Sequence, residues 1–167
     1  MKMRKFLVMA AISASVFAVG CSSDDSDDNN NTETPVNTDA IVGEWRSIDA
    51  SPLLTSLGID SIHADFRANQ TYKVISFAGG AGSELSGTYT TTEGVNGIRN
   101  IVLDQSVPNT ITSQGIYQVA NGQLRYEVAQ VEPVLAGVTA PTAAGGFGST
   151  SAGAYGNMNI QVYVKKN

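Results

Sequence analysis

Residues 110–131 read TITSQGIYQVA-NG-QLRYEVAQV. Two runs rich in β-branched and aromatic residues meet at Asn121-Gly122, the pair that best tolerates positive φ at both central positions of a type I′ hairpin turn. In the returning run Leu124, Tyr126 and Val128 share one face by period-2 alternation. A lone hairpin is marginal in water, so this segment demands further strands with a common apolar face.

The rest of the chain supplies them. IVGEWRS (41–47) predicts a first strand. In SIHADFR (61–67), Ile62, Ala64 and Phe66 fall on one face and His63, Asp65 and Arg67 on the other. Ala-Asn-Gln then turns the chain into TYKVISF (71–77), a second hairpin. A Gly/Ala loop is expected at 78–82, followed by strands in LSGTYTTTE (85–93), IRNIVLDQ (98–105) and, last, NIQVYVKK (159–166). In that last strand Ile160, Val162 and Val164 alternate with Gln161, Tyr163 and Lys165, and alternation alone does not say which set points inward. One short helix is expected after the first strand, with Ser51 as cap, Pro52 at its first position and Gly58 as its stop.

The expected fold class is therefore all-β, with eight antiparallel strands joined by hairpins. Such a sheet can close into an up-and-down barrel, which removes its exposed edges and leaves an interior wide enough for packed side chains or one small ligand. A single domain of residues 41–167 accounts for this pattern. One segment is too long for a hairpin loop: 133–158, mostly Gly, Ala, Ser and Thr. It reads either as a lid over a barrel mouth or as a loosely ordered loop, with Phe147 and Tyr155 as its docking points.

The beginning of the chain follows a different logic. Lys2, Arg4 and Lys5 precede an uncharged run from Phe6 to Val19, and Gly20 stands before Cys21, the single cysteine. This is the anatomy of a secretory signal over residues 1–20, and its apolar run is shorter than the roughly 20 residues a transmembrane helix needs. Residues 21–40 then read as an acidic, disordered tether: positions 22–39 hold six acids and no cation, too little apolar surface to repay ordering. Without Lys2, Arg4 and Lys5 the chain has seven cations against fifteen acids. Most of that excess belongs to the tether, and nucleic acid is an improbable partner.

The stretch Ala18-Val19-Gly20-Cys21 resembles the lipobox of bacterial lipoproteins. That resemblance implies acylation of Cys21 and a membrane partner reached through its acyl chains, each contributing about 0.8 kcal/mol per buried CH2. The Ser-Ser-Asp-Asp that follows is similar to the acidic export signals of Bacteroidetes surface lipoproteins. It implies an outer-membrane, lipid-anchored and surface-exposed location. With Cys21 so used, no thiol is left for disulfides or for a metal site.

Gly43-Glu44-Trp45 at the start of the first strand resembles the lipocalin-like domains of bacterial lipoproteins. So do Phe66, Asn69, Gln70, Thr71 and Tyr72 around the second turn, and Gly87 and Tyr89 in the strand after it. The resemblance implies a lipocalin-like barrel carrying a small hydrophobic or amphipathic molecule. Gly43 and Trp45 would be its structural motif, Trp45 closing the core; lipocalins cover this Trp with an Arg from near the last strand, and this chain departs from that in offering only Lys165 and Lys166. Aromatic and aliphatic strand residues are the candidate ligand contacts: Phe66, Tyr72, Tyr89, Leu124, Tyr126 and Tyr163.

Catalytic chemistry finds little to stand on. His63 is the only histidine, and no G-x-S-x-G elbow exists to complete a triad. With no second His and no spare Cys, a zinc site is improbable. Glu44, Asp65, Glu84, Glu93, Asp104, Glu127 and Glu132 are scattered, read as solvated strand faces rather than a glycosidase pair. GGFGSTS lacks the lysine of a phosphate loop. No enzyme, metal or cofactor is expected. The alternative to a carrier is a structural or protein-interaction module with a filled core.

Overall fold

The computed structural model describes residues 38–166, the side chain of Asp49 excepted. The expected signal (1–20), Cys21 and most of the expected tether (21–40) lie outside these residues. Eight strands follow in chain order: β1 (Gly43–Asp49), β2 (Ser61–Phe66), β3 (Thr71–Ala78), β4 (Ala81–Thr92), β5 (Arg99–Val107), β6 (Ile111–Ala120), β7 (Gln123–Glu132) and β8 (Gln161–Lys165). Each pairs antiparallel with the next, and β1 pairs with β8, so the sheet closes into an up-and-down barrel in sequence order. A single α-helix, α1 (Pro52–Ser56), joins β1 to β2; the Ser51 hydroxyl accepts the Leu54 amide at its start, and Pro52 opens it.

The hairpins form where turn chemistry places them. Asn121 and Gly122 take φ of 51° and 74°, both positive as a type I′ turn requires. The expected loop at 78–82 is much tighter. β3 runs through Ala78 and β4 begins at Ala81, leaving only Gly79 and Gly80 between them, with the Asp60 carboxylate accepting the Gly79 amide at 2.7 Å. The two glycines supply a complete turn, so the flanking alanines are free to pair.

Inward positions are fixed by register. Trp45, Ala64, Phe66, Tyr72, Tyr89, Ile101, Leu103, Tyr117, Leu124, Tyr126 and Tyr163 form the core. In β8 the inward set is Gln161 and Tyr163, while Val162 and Val164 face out, because Tyr163 stands opposite Leu124 and Gln161 opposite Tyr126 on β7. Outward positions of β1 to β5 carry Glu44, Arg46, His63, Asp65, Lys73, Glu84, Thr88, Asn100 and Asp104, alongside Ile75, Phe77 and Val102.

The segment 133–158 is neither a lid nor a loose loop. It runs down the outer wall and back up again. On the way down residues 138–142 lie along Asn100–Val102, Gln114 and Gly115; at the bottom Ala143 abuts Gly94, in the β4–β5 turn. Returning, Phe147 stacks under the Arg125 guanidinium, 4.3 Å from ring centroid to Cζ. Two 3₁₀ turns, Thr150–Gly153 and Gly156–Asn159, lead into β8. The clasp of this strap is Glu127, which is buried and not solvated as expected. Its carboxylate accepts the Gly148 amide at 2.6 Å, the Thr150 amide at 3.1 Å and the Thr150 hydroxyl. Asn159 adds bonds to the Val128 carbonyl and the Thr150 hydroxyl. Under the strap, outward-facing Ile116 and Ala129 are buried on the wall of β6 and β7.

A barrel open at one end

One end of the barrel is shut. The β2–β3, β4–β5 and β6–β7 turns gather there with residues 38–42. Ile41, fully buried, plugs the axis, and its carbonyl accepts the Trp45 indole N–H at 2.7 Å. Asp39 caps the plug. Its carboxylate meets Arg99 at 2.9 Å, the Thr91 hydroxyl at 2.8 Å and the Ile41 amide at 3.2 Å. Burial pushes this carboxyl up, but bonds from Tyr117, Thr91 and the Ile41 amide, with the charge of Arg99, outweigh it and hold it below its ordinary value. Arg99 also donates to the Tyr117 hydroxyl at 2.8 Å. Lys165 lies over the Trp45 ring at the β1–β8 seam.

The other end is open. β1 leaves the β2 ladder after Arg46, its Ser47 hydroxyl accepts the Ile62 amide at 2.9 Å, and a bulge follows between Ser47 and Asp49. That irregularity lets α1 swing across the end without sealing it. Below α1 lies a cavity of about 190 Å³. Strands β2 to β8 and α1 all contribute to its wall, half of whose side chains are aliphatic, among them Leu54, Ile62, Val74, Leu85, Leu103 and Val128. Ser76, Gln105 and Ser113 stand toward the mouth, and Tyr72, Tyr126, Tyr163 and Gln161 lie deeper. No charged side chain lines it.

The candidate ligand contacts therefore divide. Tyr72, Tyr126 and Tyr163 line the cavity. Phe66, Tyr89 and Leu124 belong to the filled half beneath it, where Phe66 stacks edge-on against Tyr89 with ring centroids 5.2 Å apart and the Tyr89 hydroxyl donates to the Arg67 carbonyl at 2.9 Å. Gly43 and Trp45 sit at the closed end. The aliphatic wall and Gln161 went unnoticed in the sequence; the signal available was the row of small or polar residues (Ser76, Gln105, Ser113) at inward positions near one end of their strands.

The deep tyrosines are held protonated. Burial pushes Tyr72 up to about 12, with Asp104 adding to it. Burial likewise raises Tyr126 and Tyr163, and at Tyr126 the neighbouring Tyr163 and Tyr72 act in the same direction. The Tyr163 hydroxyl donates to the Gln161 side-chain oxygen. His63 stands outside on β2, half-buried against Phe77 with ring centroids 4.9 Å apart; burial and the charges of Arg46 and Lys166 hold it below its ordinary value. Among the described residues no group of three potential metal ligands comes together.

Large apolar side chains are exposed around the open end: Ile48, Leu57, Val107, Val134, Leu135 and Met158. Leu57 is 70% and Val134 76% exposed. The loops at this end (49–60, 79–80, 108–110 and 133–160) contain no lysine or arginine. Among the described residues no helix is long and apolar enough to cross a membrane.

Comparison of the chain with protein-family models, with curated proteins and with solved structures finds no match. The barrel and its cavity are thus the ground on which function is argued.

Proposed function

We propose that this chain is a lipid-anchored envelope lipoprotein whose lipocalin-like barrel holds a small apolar or amphipathic molecule, without catalysing a reaction on it. The observation that carries the reading is the open, uncharged cavity built by seven strands and α1, with aliphatic side chains from α1 and five of those strands. Small-molecule sites are of this kind: concave, mostly apolar, with few polar groups to fix orientation. At about 190 Å³ it is somewhat larger than the ~150 Å³ apolar cavities that take up benzene. It suits a small guest, or the end of a longer one protruding through the mouth.

The apolar rim supports the same reading, since it offers a greasy guest a path from a lipid surface to the cavity. So does the lipobox-like Cys21, which would keep the barrel at such a surface. Extended at ~3.3–3.6 Å per residue, the stretch from Cys21 to residue 38 spans about 60 Å, enough for the mouth to face the membrane that holds the anchor.

Native mass spectrometry of the full chain, isolated from the envelope and from cytosolic expression, tests the carrier. A discrete extra mass released on unfolding is expected, and bare protein from both sources would turn the reading toward a filled-core interaction module. Metabolic labelling with palmitate tests the anchor: the label should enter the wild-type chain and be lost in Cys21→Ser.

A further inference from the structure

The floor of the cavity holds more hydrogen-bonding capacity than the protein uses. Tyr72 and Tyr126 make no hydrogen bond through their hydroxyls to any other described residue. Yet no fully buried side-chain nitrogen or oxygen among the described residues lacks a partner, so the Tyr126 oxygen opens onto the cavity and not into packed side chains. Gln161, also nearly buried, gives its oxygen to Tyr163 and keeps its amide N–H groups for something else. Tyr72, Tyr126 and Gln161, on three strands, thus line the floor of the chamber, opposite Ser76, Gln105 and Ser113 at its mouth.

From this we infer that the guest is an uncharged molecule with one hydrogen-bonding head, such as an alcohol, ester or amide. The head lies against Tyr72, Tyr126 and Gln161, and the apolar body lies along Val74, Leu85, Leu103 and Val128. This rests on the carrier reading above and narrows it. A carboxylate or ammonium head would be buried with no counter-charge, since no charged side chain lines the cavity, and burying an unpaired charge is strongly unfavourable. An alkane fits the wall but leaves the hydroxyls unbonded, forgoing a gain that a neutral head collects. The phenols, protonated throughout the physiological range, can donate to a carbonyl or accept from a hydroxyl.

Three probes of equal chain length separate these cases: octan-1-ol, octanoate and octane. Each is equilibrated at pH 7.5 with the full chain, and the amount retained after gel filtration is measured by gas chromatography of a solvent extract. Octan-1-ol should be retained at least about tenfold better than octanoate, a difference equivalent to about 1.4 kcal/mol, and better than octane. Tyr126→Phe and Tyr72→Phe should each bring octan-1-ol down toward octane. They should leave the unfolding midpoint unchanged, because neither hydroxyl is bonded to another described residue; a merely structural role would lower that midpoint instead. Octanoate retained as well as octan-1-ol, or octane retained as well as octan-1-ol in the wild type, would overturn the inference while leaving the carrier standing. Retention of none of the three would overturn both.

Discussion

The Lys165 ammonium lies 5.5 Å from the centroid of the Trp45 ring, across the β1–β8 seam where the two residues stand opposite each other in register. The cation covers the ring face at the strand pair that closes the barrel, so one contact both shields the indole and spans the seam. Cation–π contacts of this partly exposed kind contribute roughly 0.5–1 kcal/mol. Lys165→Met, which keeps an apolar stem over the ring, should therefore lower stability by about 0.5–1 kcal/mol. Trp45 is the only tryptophan, so urea unfolding followed by its fluorescence reads the loss directly; an unchanged midpoint would show that the cation contributes nothing to closure.

Glu127 is the residue whose removal should separate strap from barrel. Three donors end on its carboxylate, and each buried donor left unbonded costs about 1–3 kcal/mol. In Glu127→Ala the strap can escape that cost by detaching around Gly148 and Thr150, the two residues whose donors Glu127 holds. The expected outcome is fast amide exchange at Gly148 and Thr150 and protease cleavage within 133–158, with the hairpin amides of β2 and β3 still protected. Uniform loss of protection across the barrel would mean that strap and barrel are one cooperative unit.

Gly115 should be the least replaceable position of β6. A Cβ there would sit 2.1 Å from the Glu127 carbonyl oxygen and 2.5 Å from a Val128 methyl, with backbone on one side of the clash. Gly115→Ala is expected to cost more than the 1–3 kcal/mol usual for overpacking. Gly122→Ala meets no neighbour within 4 Å and pays only the left-handed backbone penalty, about 1–2 kcal/mol. Paired urea titrations check the order of the two; equal costs would place the strain of Gly115 elsewhere.

How much of this was legible in the sequence depends on what fixed each feature. Strand number, the hairpins at 67–71 and 121–122, and α1 follow from local turn chemistry and alternation, which neighbouring residues carry by themselves. The inward phase of β8 does not: Val162 and Val164 look like the core face, but pairing with β7 turns Gln161 and Tyr163 inward. The strap was hidden because Gly, Ala and Ser give no periodicity. Its trace lay on the strands it covers, where Ile116, Glu127 and Ala129 occupy outward positions and only a covering layer explains a buried Ile there. Of the candidate ligand contacts, three line the cavity and three do not, because period-2 alternation sorts inside from outside but not the open half of a barrel from the closed one.

Asp39 links acid stability to the closed end. Its folded-state value lies below that of the unfolded chain, since the bonds from Tyr117, Thr91 and Ile41 and the charge of Arg99 outweigh burial. A carboxyl depressed in this way contributes stability that is fully present above its unfolded value, near 3.9, and lost as pH falls through the folded value. Asp39→Asn should therefore unfold at lower urea than wild type at pH 6–7, and the two midpoints should converge as the pH drops below about 4. Midpoints that stay equally far apart down to pH 2.5 would show that Asp39 acts through packing and not through its charge.

Val74→Phe distinguishes a chamber from a solid core. In a filled interior the larger ring forces neighbours off their rotamers and costs about 1–3 kcal/mol. Val74 lines an open cavity of about 190 Å³ beside Leu85 and Tyr72, so the ring can enter empty space and add contacts there. The expected result is a urea midpoint within about 0.5 kcal/mol of wild type, the range of substitutions that disturb no packing, together with loss of octan-1-ol retention. Stability would thus be kept while capacity is lost, a combination that only a real cavity allows. A midpoint lowered by more than about 1 kcal/mol, with retention unchanged, would place the guest outside the barrel and give the interior to its own side chains.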